Sequence, residues 1–248
     1  MIYTSEIFEC KLIRRYKRFL ADVYYEGREM TVHCPNTGSM AGLTDEGNPA
    51  RISGPHSGTR KYAYTLEQIK IRRSDSKEVW VGVNTSVPEL IVEEAALAGK
   101  LPGFLNEYRN VKRQVIMEQG TRIDLLLEHD NQPPCWVEIK NVTLVLPNPT
   151  IKSAFNSGNV AAFPDAVTAR GIKHLKALMK RVEMGERAAM IFVIQRSDGE
   201  VFAPAECFDH AYAEAMSQAE ETGVNIFPMR AVVLKSGVTL EVKAIPRY

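Results

Sequence analysis

The chain has 248 residues, of which 45% are hydrophobic and 25% charged, a composition that fits a soluble globular protein with length for one large domain or two ordinary ones. A formal net charge of +1 neither marks nor excludes a nucleic-acid binder, because local basic patches set the field that a polyanion meets. Cys10, Cys34, Cys135 and Cys207 form no CxxC pair, which argues against a zinc knuckle and for reduced thiols in a cytosolic protein.

The opening Met1-Ile2-Tyr3-Thr4-Ser5-Glu6 has no basic stretch followed by an apolar run, and no window is apolar enough to span a bilayer. A cytoplasmic protein without signal peptide or membrane partner is therefore expected. From residue 8 to about 83 the sequence reads as short strands and turns, a small all-β unit that is either a barrel or a sandwich. Phe19-Leu20-Ala21-Asp22-Val23-Tyr24-Tyr25 and Met30-Thr31-Val32-His33-Cys34 flank Glu26-Gly27-Arg28-Glu29, a hairpin signal. Further strands are expected at residues 62–71 and 78–83.

The character changes near residue 84, which divides the chain into an N-terminal unit, 1–84, and an α/β unit, 85–248. A helix is expected over residues 88–97, with Ser86 or Thr85 as cap and Pro88 in its first turn. Strands follow at 111–117, 122–128 and 136–139. A stretch rich in Pro, Asn, Ser and Gly spans about 147–159. An amphipathic helix over 164–183 buries Val167, Gly171, Leu175, Leu178 and Val182, and Gly171 at mid-helix suggests close packing. A buried strand at 188–194 and a helix at 208–222 complete the pattern.

One constellation stands out. Side chains alternate across a strand, so Glu138 and Lys140 of Trp136-Val137-Glu138-Ile139-Lys140 share a face. A hairpin loop centred near Asn131 sets Asp124 opposite Glu138 on that face, and an unbulged slip of one residue would undo this. Two carboxylates on neighbouring strands suit Mg²⁺, and a lysine beside them can orient a water or stabilise developing negative charge. Glu-x-Lys alone is also a common solvated pair. Asp124 within Ile-Asp-Leu-Leu-Leu is harder to explain so, because an acid in an apolar strand needs a partner or a metal.

Arg15-Tyr16-Lys17-Arg18-Phe19-Leu20-Ala21-Asp22-Val23, His33-Cys34-Pro35-Asn36-Thr37-Gly38-Ser39-Met40, Val137-Glu138-Ile139-Lys140-Asn141-Val142-Thr143-Leu144 and Phe163-Pro164-Asp165-Ala166-Val167-Thr168-Ala169-Arg170-Gly171-Ile172-Lys173-His174-Leu175 together resemble the sugar fermentation stimulation protein A (SfsA) family. The resemblance implies an N-terminal OB-fold barrel, a C-terminal PD-(D/E)xK nuclease-like α/β domain and DNA binding. Asp124, Glu138 and Lys140 match the nuclease motif residue by residue. The upstream acid is assigned to Glu94, with Glu93 as rival. The family usually has asparagine at the position of Glu89, and residues 146–160 look longer than in typical members.

On this reading Glu94, Asp124, Glu138 and the Ile139 carbonyl hold Mg²⁺ or Mn²⁺, and Lys140 assists the attacking water. The basic cluster around Arg15, Lys17 and Arg18, with Tyr16 interleaved, contacts nucleic acid in the manner of OB-folds. From the residues alone it reads as a charged strand edge. Arg170, Lys173 and His174 bind the scissile phosphate or form a basic solvent face. The expectation is thus a DNA-binding, metal-dependent nuclease, open to being a homodimer. A non-catalytic DNA-binding regulator that retains the nuclease fold and an RNA-directed nuclease are the alternatives.

Overall fold

The computed structural model describes residues 1–58, 60–73, 76–118, 120–146 and 159–247. Alternating apolar positions fold the N-terminal part into β1 (Ile7–Tyr16), β2 (Leu20–Tyr25), β3 (Arg28–His33), β4 (Pro49–Ser53), β5 (Thr65–Arg72) and β6 (Glu78–Gly82). The β2–β3 hairpin turns on Glu26 and Gly27, both at positive φ (48° and 80°), as a tight two-residue turn demands. The sheet order is β3-β2-β1-β4-β5-β6, and His33 of β3 also pairs with Thr65 of β5. That pairing closes the sheet around Leu12, Val23, Val32, Ile52, Leu66 and Ile69. The unit is therefore a barrel rather than a sandwich, with the strand order of an OB-fold.

The rest of the chain forms α1 (Val87–Leu97), a 3₁₀ turn (Gly103–Glu107), β7 (Asn110–Glu118), β8 (Thr121–His129), β9 (Gln132–Val142), β10 (Leu144–Leu146), β11 (Val160–Phe163), α2 (Ala169–Glu183), β12 (Arg187–Ile194), β13 (Val201–Pro204), α3 (His210–Thr222), β14 (Asn225–Leu234) and β15 (Gly237–Ala244). The main sheet runs β15-β14-β12-β9-β8-β7, with β9, β12 and β14 parallel and antiparallel strands at both margins. Its centre is apolar on both faces, as a covered sheet requires. Helices α2 and α3 bury Trp136, Leu178, Phe192 and Tyr212 on one face. Helix α1 buries Ile91, Val92, Val137 and Ile191 on the other. Strands β10, β11 and β13 make a small second sheet. Among the described residues, no helix is long and apolar enough to cross a membrane.

Among the contacts that join the halves are two seams. At the first, the Gly82 amide donates to the Gln195 carbonyl (2.8 Å), and the Gln195 side chain donates to the carbonyl of Asn84 (3.2 Å) and to Asn141 Oδ1 (2.8 Å). At the second, Asp165 accepts the Met40 amide on its carboxylate (2.9 Å) and the Ser39 hydroxyl on its carbonyl (2.7 Å). Residues 1–3 leave the barrel and lie along β15, with Tyr3 N–H on the Ser236 carbonyl and Val238 N–H on the Met1 carbonyl.

The helix expected from residue 164 begins at Ala169 instead. The barrel claims Asp165, and Thr168 caps the helix by accepting the Gly171 amide while its own amide donates to Asp209. Val167 consequently lies outside the helix and is 80% exposed, so the expected buried stripe loses its first member. Likewise α3 starts at His210 because Asp209 caps it through the Tyr212 amide. Residues 147–158, most of the Pro- and Asn-rich tract, lie outside the described residues.

Gly171 sits in the first turn of α2, and its close packing is against α3 rather than the sheet. A Cβ there would lie 2.8 Å from Tyr212 Cε2 and 2.9 Å from Thr168 Cγ2. Helix propensity favours alanine over glycine by at most ~1 kcal/mol, while overpacking costs about 1–3 kcal/mol. Gly171→Ala is therefore expected to lower stability in urea unfolding, and Tyr212→Leu in the same chain to relieve part of that loss.

Candidate metal centre

The β8–β9 hairpin places the acids. Its tip is Asp130-Asn131, with His129 facing Gln132. Continued without a break, that two-residue turn would put Asp124 out of step with Glu138. A bulge between Leu127 and His129 shifts the register, so that Leu127 faces Cys135, Leu126 faces Trp136 and Leu125 faces Val137. The parity needed for Asp124 and Glu138 is restored. The ladder then stops. Asp124 Oδ2 accepts the Ile139 amide (2.8 Å), a side-chain bond where a strand-to-strand bond would otherwise form. Ile123 packs towards α2 and α3 whereas Leu125 packs towards α1, so alternation also changes at this residue.

Glu138 is 2% exposed. Its Oε1 meets both Lys140 Nζ and His174 Nδ1, and its Oε2 has no partner among the described residues. Because Glu138 is ionised, His174 donates through Nδ1. Its Nε2 is left to accept from Arg170 Nε at 3.5 Å, the long limit for such a bond. Lys140 Nζ lies 3.4 Å from the same imidazole. Tyr212, fully buried on α3, also has an unpartnered hydroxyl and feels the Glu138 charge.

The two acids titrate in opposite senses. Burial is the largest influence on Glu138 and opposes its charge, but Lys140 and His174 together outweigh it and hold the carboxyl below its ordinary range. Burial, then the Glu138 charge, push Asp124 up to about 7, against the pull of the Ile139 amide and Lys140. Without a cation, one carboxylate of the pair keeps its charge and the other takes a proton near neutrality.

A third acid comes from α1. Glu89, in the first turn, accepts Gln114 Nε2 (2.9 Å) on Oε2 and the Arg113 guanidinium (2.8 and 3.1 Å) on Oε1. Gln114 also reaches Asp124 Oδ1 at 3.3 Å, so one amide bridges two carboxylates. This glutamine lies on β7 level with Asp124 and has φ +51°, a left-handed conformation that costs a non-glycine residue about 1–2 kcal/mol.

Glu94 is not brought here. It follows Glu89 by five residues, which turns it about 140° around the helix, and it pairs with the N-terminal amine of Met1, its side chain 61% exposed. Glu93 shares the Glu89 face and pairs with Arg113 at 3.3 Å. Glu89, which stands where the family usually has asparagine, is the helix acid that Gln114 links to Asp124. Lys173 lies farther along α2 and reaches the Gly120 carbonyl at the β7–β8 turn (3.4 Å). On the barrel, Arg15 donates to the carbonyls of Asn36, Arg18 and Ser39. The Tyr16 hydroxyl donates to Asp22 (3.1 Å), while Lys17 and Arg18 are exposed in the β1–β2 turn.

The sequence reading missed Gln114 and Arg113. Nothing in the sequence marks a non-glycine residue for positive φ, but an acid in a first helical turn after Pro88 was a usable signal for Glu89. Among the described residues, no three acidic, histidine or cysteine side chains close into a metal cage. Asp124 and Glu138 instead fit a hard cation that takes one or two carboxylates and keeps its waters. The orphaned Glu138 Oε2 and the strained charge balance of the pair are what such an ion would relieve.

Two family models match this chain. The SfsA N-terminal OB domain covers residues 13–83, and the sugar fermentation stimulation protein RE domain covers residues 86–237. The chain belongs to the sugar fermentation stimulation protein family. A homologue from Geobacter sp. (strain M21) is 43% identical over 97% of this chain and 96% of its own length. One from Thioalkalivibrio sulfidiphilus is 41% identical over 97% and 95%. A solved structure of Pyrococcus furiosus SfsA superposes with a TM-score of 0.83 at 23% identity, covering 100% of this chain and 98% of that one. The fold of this family member is thus an N-terminal OB domain followed by a restriction-endonuclease-like α/β domain.

The raised Asp124 value carries a sign that can be checked. A carboxyl whose folded value lies above its unfolded one stabilises fully below pH ~4, and that contribution is lost as pH rises through about 7. Metal-free protein should therefore melt lower at pH 8 than at pH 5. Asp124→Asn, whose amide oxygen can still accept the Ile139 amide, should remove a part of that drop on the order of 2–6 °C. Equal pH dependence of the two melts would contradict the assignment.

Proposed function

We propose that this protein is a divalent-metal-dependent nuclease acting on DNA. An OB unit over residues 1–84 binds the polymer, and an α/β unit over 85–248 cleaves it. The observation that carries the reading is that Asp124 takes the Ile139 amide, next to Glu138, at the point where β8 and β9 part, with Lys140 against Glu138. Asp124 and Glu138 would hold Mg²⁺ or Mn²⁺, with the Ile139 carbonyl next to them. Glu89 stands behind Gln114 as the third acid, in the place assigned from sequence to Glu94. The Pyrococcus furiosus relative was solved in complex with Ca²⁺, which supports a divalent ion in a protein of this fold.

When bound, such an ion neutralises charge at phosphorus and lowers the pKa of a bound water. The protein's own groups supply the remainder. Lys140, anchored by Glu138, is a fixed cation at the edge where a water would approach, and it can orient that water or stabilise charge developing on phosphate oxygen. His174, held by Glu138 and Arg170, fixes the carboxylate's rotamer from the α2 side. The exposed Arg170 guanidinium supplies a phosphate contact beside it. Lys17 and Arg18 offer further phosphate contacts on the barrel, where exposed Phe19 can stack on a base.

Purified protein is to be incubated with single- and double-stranded DNA and Mg²⁺ or Mn²⁺. Asp124→Ala and Lys140→Ala are each expected to reduce cleavage by roughly a hundredfold or more. Calorimetric titration with Ca²⁺ separates their roles, since Asp124→Ala should lose the ion and Lys140→Ala should retain it. If wild-type protein binds DNA but cuts no DNA with either ion, the nuclease reading fails.

A further inference from the structure

A cavity of about 530 Å³ opens between the barrel and the first turn of α1. None of Glu89, Asp124, Glu138, Lys140 and His174 lines it. Its size is that of a pocket for a small organic ligand. At its floor lies Glu67 of β5, 5% exposed. Glu67 accepts the Ser53 hydroxyl on Oε1 (2.7 Å) and the Asn84 amide on Oε2 (2.9 Å). A carboxylate has about four acceptor positions, so each oxygen keeps capacity for one more donor. Burial pushes the Glu67 carboxyl above its ordinary range despite the Ser53 and Asn84 bonds, and donors from an occupant would favour its charged form.

The walls and rim limit what the occupant can be. The rings of His33, Pro35 and Tyr62 line the cavity with flat, largely apolar surfaces. Burial, and Arg60 after it, hold His33 below its ordinary range, so it offers a neutral ring face rather than a charge. His56 also lines the cavity, but its ring nitrogens are engaged by Ser5, Ser53 and Thr65, and it braces the floor. Exposed Arg60 and Lys61 stand at the rim. Ser86, the residue that opens α1, lines the same cavity and makes no side-chain cap.

A fitting ligand is a planar heterocycle with adjacent N–H donors on one edge and an anionic group one sugar away. Guanine presents N1–H and N2–H together. Adenine, cytosine and uracil each set an acceptor beside their donor, and that acceptor would face the carboxylate. We propose that this cavity is a guanine-nucleotide site in which Glu67 accepts the N1–H and N2–H edge, Tyr62 and His33 cover the ring, and Arg60 and Lys61 take the phosphate. The site is separate from the carboxylate centre and stands whether or not that centre cuts DNA.

Titration calorimetry of the full chain with GMP tests it, with AMP and guanosine as comparison ligands. GMP is expected to bind with Kd below about 1 mM and AMP at least about tenfold more weakly. Glu67→Gln should erase the preference for GMP over AMP. Because that change touches a buried hydrogen-bond pair, Tyr62→Ala serves as a second variant at a more open position and should weaken both nucleotides. Arg60→Ala should weaken GMP and leave guanosine unchanged. A short thymidine oligomer with one central guanine distinguishes the source of the ligand: competition with GMP assigns the site to a base within a strand, and no competition assigns it to the free nucleotide. Asp124→Asn should bind GMP as wild type does. Absence of GMP binding at several times that concentration, equal affinity for GMP and AMP in the wild type, or loss of binding in Asp124→Asn would each overturn the proposal.

Discussion

The architecture of the site depends on one hydrogen bond, from the Ile139 amide to the Asp124 carboxylate. Paired antiparallel strands hold facing residues about 5 Å apart and fill the space between them with ladder bonds. By taking the Ile139 amide on a side chain, Asp124 ends the ladder after Leu125 and Val137 and lets β8 and β9 diverge. The neighbouring ladder yields at the same level. Gln114 on β7 adopts positive φ opposite Asp124, and its side chain spans from Asp124 to Glu89. Regular pairing is thus lost at one level across three strands of a covered sheet, and the carboxylates gather at that level.

The charges at that level do not balance without an ion. Arg113 answers Glu89, and Lys140 answers Glu138, which also takes the His174 N–H. Among the described residues, Asp124 has only the Ile139 amide and the Gln114 amide, both neutral donors, beside an ionised neighbour. Its carboxyl consequently sits near 7. Under the proposed function a divalent cation would compete with that proton, and both acids would be charged only when the ion is held.

Strand parity was legible from sequence because it depends only on the period of two and on the hairpin centre. The observed tip lies between Asp130 and Asn131, and the bulge before His129 restores the expected register as far as Leu125 and Val137, one step short of Asp124 and Glu138. The helix acid was legible as a class but not as a residue. Resemblance favoured Glu94, whereas rotation around α1 turns it away and leaves Glu89 facing β7. The positive φ of Gln114 and the contact of Gly171 with Tyr212 arise from residues distant in sequence, and no local pattern announces them. The start of α2 was misplaced for a similar reason, since Asp165 is held by Ser39 and Met40 of the barrel rather than by its own helix.

That contact also explains why the residues carrying the family resemblance are so widely spread. Arg15 donates to the Asn36 carbonyl, Asn36 donates to the Val83 carbonyl and accepts the Gly38 amide, and Asp165 closes on Met40. A Cβ at Gly38 would lie 2.7 Å from the Asp165 carboxylate, so the seam admits no side chain there. The motifs at residues 15–23, 33–40 and 163–175 thus converge on a single junction between the barrel and the start of α2. Arg15, read from sequence as a phosphate ligand, is held by this junction, while Lys17 and Arg18 next to it remain exposed. The same junction fixes the basic β1–β2 turn relative to α2, whose Arg170 and His174 follow Asp165 within three turns of chain. Under the proposed function, this seam would set the direction from which a strand on the barrel meets the carboxylates.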